Sequence, residues 1–215
     1  MTSGLYSKLA AAYVRGSLPE ARSESGEAAL LSLGRSAGLK LHRFKRTMDL
    51  PRIKAVLGVL RGIAPTDLLD VGSGRGTFLW PLLDVFPELA VTAVERDDRR
   101  RAHLDAVRCG GIERLCVVGG EASALPFPDR AYDVVTLLEV LEHQNDPAPL
   151  AREAVRLARR FVVASVPSKP DENPEHVQLF SGESLSALLR RAGATKVSID
   201  YVPNHIIAVA RTYGR

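Results

Sequence analysis

A glycine-rich loop flanked by carboxylates contains the first residues whose types and spacing could do chemistry. Asp70 stands just before the loop Gly72–Gly76, whose three glycines alternate with other residues, and Glu95 ends the next apolar run along the chain. Glycines let a strand turn sharply into a helix and let a ligand approach the main chain closely. A carboxylate at the end of the neighbouring strand can accept hydrogen bonds from both hydroxyls of a ribose. The loop and the acid together predict a site for an adenosine-bearing ligand.

The spacing of the loop restricts which adenosine ligand is expected. The pattern is G-x-G-x-G, whereas G-x-G-x-x-G places a pyrophosphate at a helix N-terminus, and no Gly-Lys-Ser/Thr ending follows. The charge of Asp70 beside the loop would repel a pyrophosphate and attract a cation. We therefore favour a ligand with an amino group and a sulfonium over a nicotinamide dinucleotide.

A second chemical element is the segment Glu139-Val140-Leu141-Glu142-His143. In a helix its two acids and its histidine would share one face. Such a set could bind a divalent metal, or serve as a base with its orienting partner, with His143 as the catalytic base. His176 in a later loop could be a fourth ligand, or could only fix the main chain of that loop. The alternative is that all four residues are structural or contact a cofactor.

The pattern of apolar runs after Thr66 indicates the elements that position these residues. Five short, nearly continuous apolar runs are typical of strands that are buried on both faces. They are Asp67–Val71, Ala90–Val94, Leu115–Val118, Tyr132–Leu138 and Phe161–Val166. Two later alternating runs, Lys196–Tyr201 and His205–Ala210, predict a closing hairpin.

Strands that alternate with helices predict an α/β fold with one doubly wound sheet. We expect seven strands, mainly parallel, with a C-terminal antiparallel hairpin strand and N-terminal helices. In such a sheet, ligands bind beyond the carboxyl ends of the strands. One helix is predicted to begin after Asp146 and to end with Arg159 and Arg160, where cations suit the helix dipole.

These segments resemble the class I S-adenosylmethionine-dependent methyltransferases, which have a Rossmann-like sheet. The resemblance rests on four segments, Leu68–Gly76, Val91–Glu95, Gly120–Phe127 and Tyr132–Glu139. It implies S-adenosylmethionine as the cofactor, with Glu95 on the ribose, Glu121 on the adenine amino group and the N–H of Ala122 on a ring nitrogen. The implied cofactor-binding residues are Asp70, Gly72, Ser73, Gly74, Gly76, Glu95, Glu121, Ala122 and Glu139. Family members more often carry Asp where this chain has Glu121.

The E-x-x-E-H element is similar to that of the ubiquinone-pathway O-methyltransferases and of the small-RNA 3′-end 2′-O-methyltransferases. The resemblance implies a divalent metal held by Glu139, Glu142, His143 and His176. The RNA enzymes carry adjacent histidines where this chain has His176 alone, which weakens the RNA interpretation.

The remaining composition is that of an ordinary globular protein. The 215 residues are 46% hydrophobic and 25% charged, with a net charge of +4. We predict a helical extension or substrate lid over residues 1–65 and a cofactor domain over residues 66–215. The absence of a long apolar run and of a signal-peptide pattern predicts a cytoplasmic protein. Cys109 and Cys116 are expected to be reduced thiols in or near a core.

Two segments are candidates for substrate contact. Arg35–Lys54 is rich in Lys and Arg and could attract an anionic or nucleic-acid substrate, or could be a solvated face of a helix. The loop Pro167–Leu179 is long for a strand-to-helix link and is a candidate gate.

The sequence thus predicts an enzyme that transfers a methyl group from S-adenosylmethionine to an O or N nucleophile of a small molecule. One alternative is an RNA methyltransferase acting on a 2′-O or a base. Another, of a different class, is a non-catalytic module that binds a cofactor or nucleic acid. The oligomeric state is left open.

Overall fold

The computed structural model describes residues 5–170 and 172–213, and they contain one seven-stranded sheet. The strands are β1 (Asp67–Val71), β2 (Ala90–Val94), β3 (Leu115–Val118), β4 (Tyr132–Leu138), β5 (Ala158–Pro167), β6 (Lys196–Val202) and β7 (His205–Arg211). The helices are α1 (Ser7–Ser17), α2 (Glu27–Ser36), α3 (Pro51–Ile63), α4 (Leu79–Val85), α5 (Asp98–Cys109), α6 (Ala148–Leu157) and α7 (Gly182–Arg191). Short 3-10 helices cover Pro19–Ala21, Leu41–Phe44 and Leu141–His143.

The strand order is β3-β2-β1-β4-β5-β7-β6. The pairs among β1 to β5 are parallel, and β7 is antiparallel to both β5 and β6. This confirms the predicted fold class, including the closing hairpin. The chain order reverses between β1 and β4, which places a crevice at the carboxyl ends of these strands.

The hydrophobic core has two parts, one on each face of the sheet. Helices α1 to α5 cover one face, while α6 and α7 cover the other. Side chains from β1 contribute to both parts, because Leu68 and Leu69 point to opposite faces. The extended burial of β1 and β4 explains why their sequences are continuous apolar runs rather than alternating ones.

Helix α1 crosses the end of α5 at main-chain distance because Gly16 of α1 and Gly110, the residue just after α5, lie at the crossing. A Cβ on Gly16 would lie 1.9 Å from the carbonyl oxygen of Ala106, and one on Gly110 would lie 1.7 Å from that of Ala12. The Arg15 guanidinium adds a hydrogen bond to the Gly110 carbonyl at 3.1 Å. The division at residue 65 stays a prediction.

Two sequence expectations about individual residues are wrong. Helix α6 ends at Leu157, so Arg159 and Arg160 belong to β5 and not to a last helical turn. Long-range ion pairs explain this, because the Arg159 guanidinium binds Asp67 at 2.8 Å and Asp133 at 2.9 Å. Both cysteines are free thiols, as expected, but they are exposed rather than inside a core. Among the described residues, no helix combines the length and apolar character that crossing a bilayer requires.

Candidate active site

A cavity of about 460 Å³ lies beyond the carboxyl ends of β1, β2 and β4. Its lining includes the glycine-rich loop, Glu95, the segment 120–123, the exit of β4 and Arg52 of α3. Cavities of this size hold typical small ligands, for which a range of roughly 300–1,000 Å³ is usual. The sequence-predicted residues therefore meet around one pocket, at the place that the strand order indicates.

The three glycines of the loop share positive φ angles, but Gly76 and Gly74 are required for different reasons. All have positive φ, at 76° for Gly72, 57° for Gly74 and 83° for Gly76. A Cβ on Gly76 would lie 2.1 Å from the buried ring of Trp80, so this glycine serves packing. A Cβ on Gly74 would approach only a carbonyl oxygen, at 3.8 Å, and would project into open space. Gly74 thus leaves the main chain accessible to a ligand.

Asp70 is a buried carboxylate in the floor of the cavity. It is 2% exposed, and its Oδ1 accepts a hydrogen bond from Thr136 Oγ1 at 2.7 Å. Burial raises the pKa of Asp70, the hydrogen bonds of Ser73 and Thr136 lower it, and the charge of Glu95 raises it. A cationic ligand in the cavity would compensate the cost of this buried charge.

Glu95 connects the end of β2 to the glycine-rich loop. Its Oε2 accepts the N–H of Gly74 at 2.8 Å and its Oε1 accepts the N–H of Asp97 at 2.9 Å. Each carboxylate oxygen keeps a further lone pair, so two ribose hydroxyls can still donate to it. The structural role in holding the loop was not anticipated from the sequence.

Helix α6 fixes the segment that lines the far end of the cavity at Glu121 and Ala122. Glu153 Oε1 accepts the N–H of Leu125 at 2.7 Å, and Arg156 donates to the carbonyl of Phe127 at 2.8 Å. Sequence reasoning missed both side chains of α6. A signal exists for Glu153, because it is a charged residue on the apolar face of an amphipathic helix.

Glu139 does not share a helical face with Glu142 and His143, contrary to the sequence expectation. It leaves β4 with φ at 58°, and only a 3-10 turn, Leu141–His143, follows. Its carboxylate accepts a hydrogen bond from Ser165 Oγ at 2.7 Å and lies 3.1 Å from His205 Nε2. Glu139 therefore does not belong to the cluster that the other three predicted metal ligands form, although it and His143 both line the cavity.

Glu142, His143 and His176 do come together. One potential ligand atom from each lies within 4.8 Å of the others, and Glu142 is completely buried. The Nδ1 of His143 lies 2.9 Å from the carbonyl oxygen of Glu175. A carbonyl oxygen can only accept, so Nδ1 is the donor and Nε2 of the neutral ring keeps its lone pair. His143 can thus act as a base or as a ligand through Nε2.

The sequence profile of a methyltransferase domain family matches residues 41–199, which is most of the chain. The chain belongs to this methyltransferase family. This confirms the resemblance to class I S-adenosylmethionine-dependent methyltransferases and the cofactor that it implies. The roles assigned to single residues stay predictions.

Two named methyltransferases are similar in sequence to about two thirds of this chain. A demethylmenaquinone methyltransferase of Roseiflexus sp. (strain RS-1) is 34% identical over 142 residues, which are 63% of this chain and 58% of that protein. A 27-O-demethylrifamycin SV methyltransferase of Amycolatopsis mediterranei (strain S699) is 27% identical over 168 residues, 69% of this chain and 61% of that protein. The chain thus spans about three fifths of the length of these two relatives.

The N-terminal domain of EvdMO1, a solved structure with SAH bound, has the same fold. Its TM-score is 0.60 at 17% sequence identity, and the match covers 77% of this chain and 81% of that one.

S-adenosylmethionine fits the cavity of this methyltransferase domain. The open space beside Gly74 admits a ligand close to the main chain, and the buried Asp70 provides negative charge for a cationic ligand. Glu95 retains acceptor capacity for a ribose.

Proposed function

We propose that the protein transfers a methyl group from S-adenosylmethionine to an O or N nucleophile of a small molecule. The observation that carries the proposal is the single cavity that joins Glu95 and the 120–123 segment at one end to Asp70, Glu139 and His143 at the other. When bound, the cofactor supplies a methyl group that its sulfonium has already activated. The protein's main task is then to align the acceptor, and positioning contributes on the order of 7–11 kcal/mol in the best intramolecular models.

The cofactor-binding residues divide by the part of the ligand that they would contact. Glu95 accepts from the ribose hydroxyls, and Glu121 with the N–H of Ala122 holds the adenine. Gly72, Ser73, Gly74 and Gly76 form the loop against which the nucleoside lies. At the other end, Asp70 and Glu139 attract positive charge.

His143 would remove the proton of a weakly acidic acceptor through Nε2. Its position beside the cavity and the hydrogen bond at Nδ1 support this role. The same nitrogen could instead bind a divalent metal together with Glu142 and His176, since a carboxylate and two imidazoles suit such ions. The metal would then hold and polarise the acceptor oxygen.

A small-molecule acceptor is favoured over RNA. Both relatives described above are named for methylation of small molecules, a demethylmenaquinone and a demethylrifamycin. In the basic segment Arg35–Lys54, Arg46 already pairs with Asp84 at 3.8 Å and Arg52 approaches Glu139 at 4.0 Å. Arg46 is thus paired with a carboxylate of the protein, and Arg52 faces the cavity, where a small ligand rather than a polyanion would meet it.

The loop Pro167–Leu179 is our candidate for a substrate gate. Its contacts with the E-x-x-E-H segment support this proposal. The N–H groups of Val177 and Gln178 donate to the carbonyl of Glu142 at 2.9 and 3.3 Å. Residue 171 of this loop lies outside the described residues. A cytoplasmic location is retained as part of the proposal.

Calorimetric titration with S-adenosylmethionine, S-adenosylhomocysteine and NAD tests the cofactor site. We expect the first two to bind and NAD not to bind. A preference for NAD would reject the proposal, and binding without methyl transfer to any cell extract would favour a non-catalytic module.

A screen with labelled cofactor against fractions of cell extract tests the acceptor. We expect the label in small molecules, with transfer unaffected by nuclease. Sensitivity to nuclease would favour RNA as the acceptor. Loss of transfer on chelation, restored by added metal, would assign Glu142, His143 and His176 to metal binding instead of base catalysis.

A further inference from the structure

Glu139 has a main-chain conformation that residues other than glycine rarely adopt. Its φ is 58°, and it is the one non-glycine residue with positive φ among the described residues that line the cavity. Such a conformation is strained and persists only where the surroundings enforce it. Here the N–H of Glu139 donates to the carbonyl oxygen of Ser165 at 3.0 Å. Strand β5 thus stabilises the bend by which β4 reaches the cavity.

The Glu139 carboxylate is held by two side chains from the adjacent strands. Ser165 of β5, which is fully buried, donates to Oε1 at 2.7 Å, and His205 of β7 lies 3.1 Å from Oε2. The other ring nitrogen of His205 lies 3.2 Å from the carbonyl oxygen of Pro203. Both nitrogens of this ring face acceptor oxygens, so the ring donates to the Glu139 carboxylate when Nε2 carries a hydrogen.

Arg52 completes this end of the cavity from the first turn of α3. Its Nε lies 4.0 Å from Glu139 Oε2, at the limit of an ion pair. This is the one ion pair or hydrogen bond of Arg52 among the residues that the structure describes. The guanidinium therefore keeps donors for a second carboxylate, which it could bind with two hydrogen bonds.

Glu139 and Arg52 line the cavity, whereas Ser165 and His205 do not. A carboxylate beside a guanidinium complements an α-amino acid, whose ammonium and carboxylate carry the opposite charges. Because neither Ser165 nor His205 lines the cavity and both contact the Glu139 carboxylate, we expect any effect that they have on a ligand to act through that carboxylate.

We propose that Ser165 and His205 are positioning residues that orient Glu139 opposite Arg52, so that this pair recognises the amino-acid end of the cofactor. The inference rests on the proposed function. It adds two side chains to the site, from β5 and β7, neither of which belongs to the segments that carried the family resemblance.

The test compares two adenosine thioethers that differ in the amino-acid end. S-adenosylhomocysteine carries that end, and 5′-methylthioadenosine lacks it. For Ser165→Ala and His205→Ala, calorimetry should show a loss of about tenfold in affinity for S-adenosylhomocysteine, in line with one charge-assisted hydrogen bond. The affinity for 5′-methylthioadenosine should stay unchanged, because the adenosine contacts are remote.

One conservative variant and one control variant show whether a loss of affinity comes from the contact with Glu139. His205→Gln keeps a donor near Oε2 and should recover most of the affinity, and it replaces His205→Ala if that variant does not fold. Ser186→Ala removes a half-buried hydroxyl of α7 that accepts from Arg190 at 3.4 Å and does not line the cavity, so it should change neither affinity.

Three results would overturn the inference. A parallel loss of affinity for both thioethers would mean that the two residues only support the fold. Unchanged affinity for both would mean that they do not orient Glu139 for binding. If the unaltered protein binds neither compound, the proposed function itself fails, which is a different result from failure of the variants.

Discussion

The two ends of the cavity are built in different ways. At the adenosine end, the side chains of Glu95 and Glu153 bind main-chain N–H groups, so the ligand meets loops whose shape is fixed by acids behind them. At the amino-acid end, Glu139 binds the side chains of Ser165 and His205. Main-chain partners are available whatever the neighbouring sequence, whereas side-chain partners must be present at particular positions. The amino-acid end should therefore be the more sensitive to single conservative substitutions.

Gly76 lies in the loop that both ends share, and replacing it should have the largest effect. In Gly76→Ala the new Cβ would overlap the Trp80 ring in a backbone with φ at 83°. We expect a loss of more than about 4 kcal/mol in the free energy of unfolding, measured by denaturant titration.

Gly58→Ala is the matched control in the interior of α3, where a Cβ would meet nothing within 4 Å. It should stabilise the protein by about 0.5–1 kcal/mol. Equal stability of the two variants would show that Trp80 does not hold the loop.

Glu95→Ala should give the next largest effect, confined to the adenosine end. The ribose hydroxyls lose their acceptor, and the affinity for S-adenosylhomocysteine should fall about 100-fold in calorimetry. The N–H groups of Gly74 and Asp97 also lose their partner, so the melting temperature should fall by a few degrees.

The conservative Glu95→Gln variant separates these two consequences. Its amide oxygen can still accept a hydrogen bond, so part of the stability should return without the full affinity. Unchanged affinity in Glu95→Ala would mean that another acid binds the ribose.

Asp70→Asn tests the amino-acid end, where a buried charge is expected to favour binding at the expense of stability. Burial raises the pKa of Asp70 above its ordinary value of 3.8. The carboxyl group of Asp70 therefore binds its proton more tightly in the folded protein than in the unfolded chain. The contribution of Asp70 to stability is complete below pH 3.8 and is lost as the pH rises through the folded pKa.

Unfolding of both proteins over a pH series checks this prediction. The stability of Asp70→Asn relative to the unaltered protein should grow as the pH rises above 3.8. Its affinity for S-adenosylmethionine should fall about tenfold, since a neutral amide no longer attracts a cation. A variant that is less stable at neutral pH would show instead that hydrogen bonds outweigh the burial of the charge.

Arg156→Lys should have the smallest effect, because it only loosens the support of the adenosine end. The guanidinium contacts Glu153, Asp129 and the carbonyls of Leu125 and Phe127, a set that one ammonium cannot reproduce. We expect a loss of about 1 kcal/mol in stability and a few-fold loss in affinity. Arg152→Lys, on the exposed side of the same helix, should change neither quantity, and equal effects in both would contradict the support role.

The sequence predicted the sheet, and it predicted that Asp70 and Glu95 lie at strand ends beside one cavity, because both predictions depend on local patterns. Two apolar runs define β1 and β2, Gly72 follows the first and Glu95 the second, and the positions of Asp70 and Glu95 follow from these strand ends. The position of the Glu139 side chain could not be predicted from local sequence. It depends on the positive φ of Glu139 itself and on two partners, Ser165 and His205, that lie 26 and 66 positions away in the chain. The helical spacing of the E-x-x-E-H segment suggested a common face that a 3-10 turn does not provide.

The end of α6 shows the same limit at the level of secondary structure. Two arginines at a helix C-terminus are favourable for the helix dipole, and this local preference supported the predicted boundary. In the structure Arg159 lies in β5 instead, where its ion pairs with Asp67 and Asp133 link three strands that are distant in sequence. Local preference is a weak guide wherever a charged side chain finds its partner through the tertiary fold.

The glycine crossing of α1 and α5 bears on how this protein can be shortened. The family profile begins at residue 41, which suggests a convenient starting point for a truncated version. Such a truncation would remove α1 and uncover Gly110 and the rings of Phe44 and His103 on the side where Tyr13 of α1 packs against them. The shortened protein should aggregate on expression, even though every residue of the cofactor pocket would still be encoded.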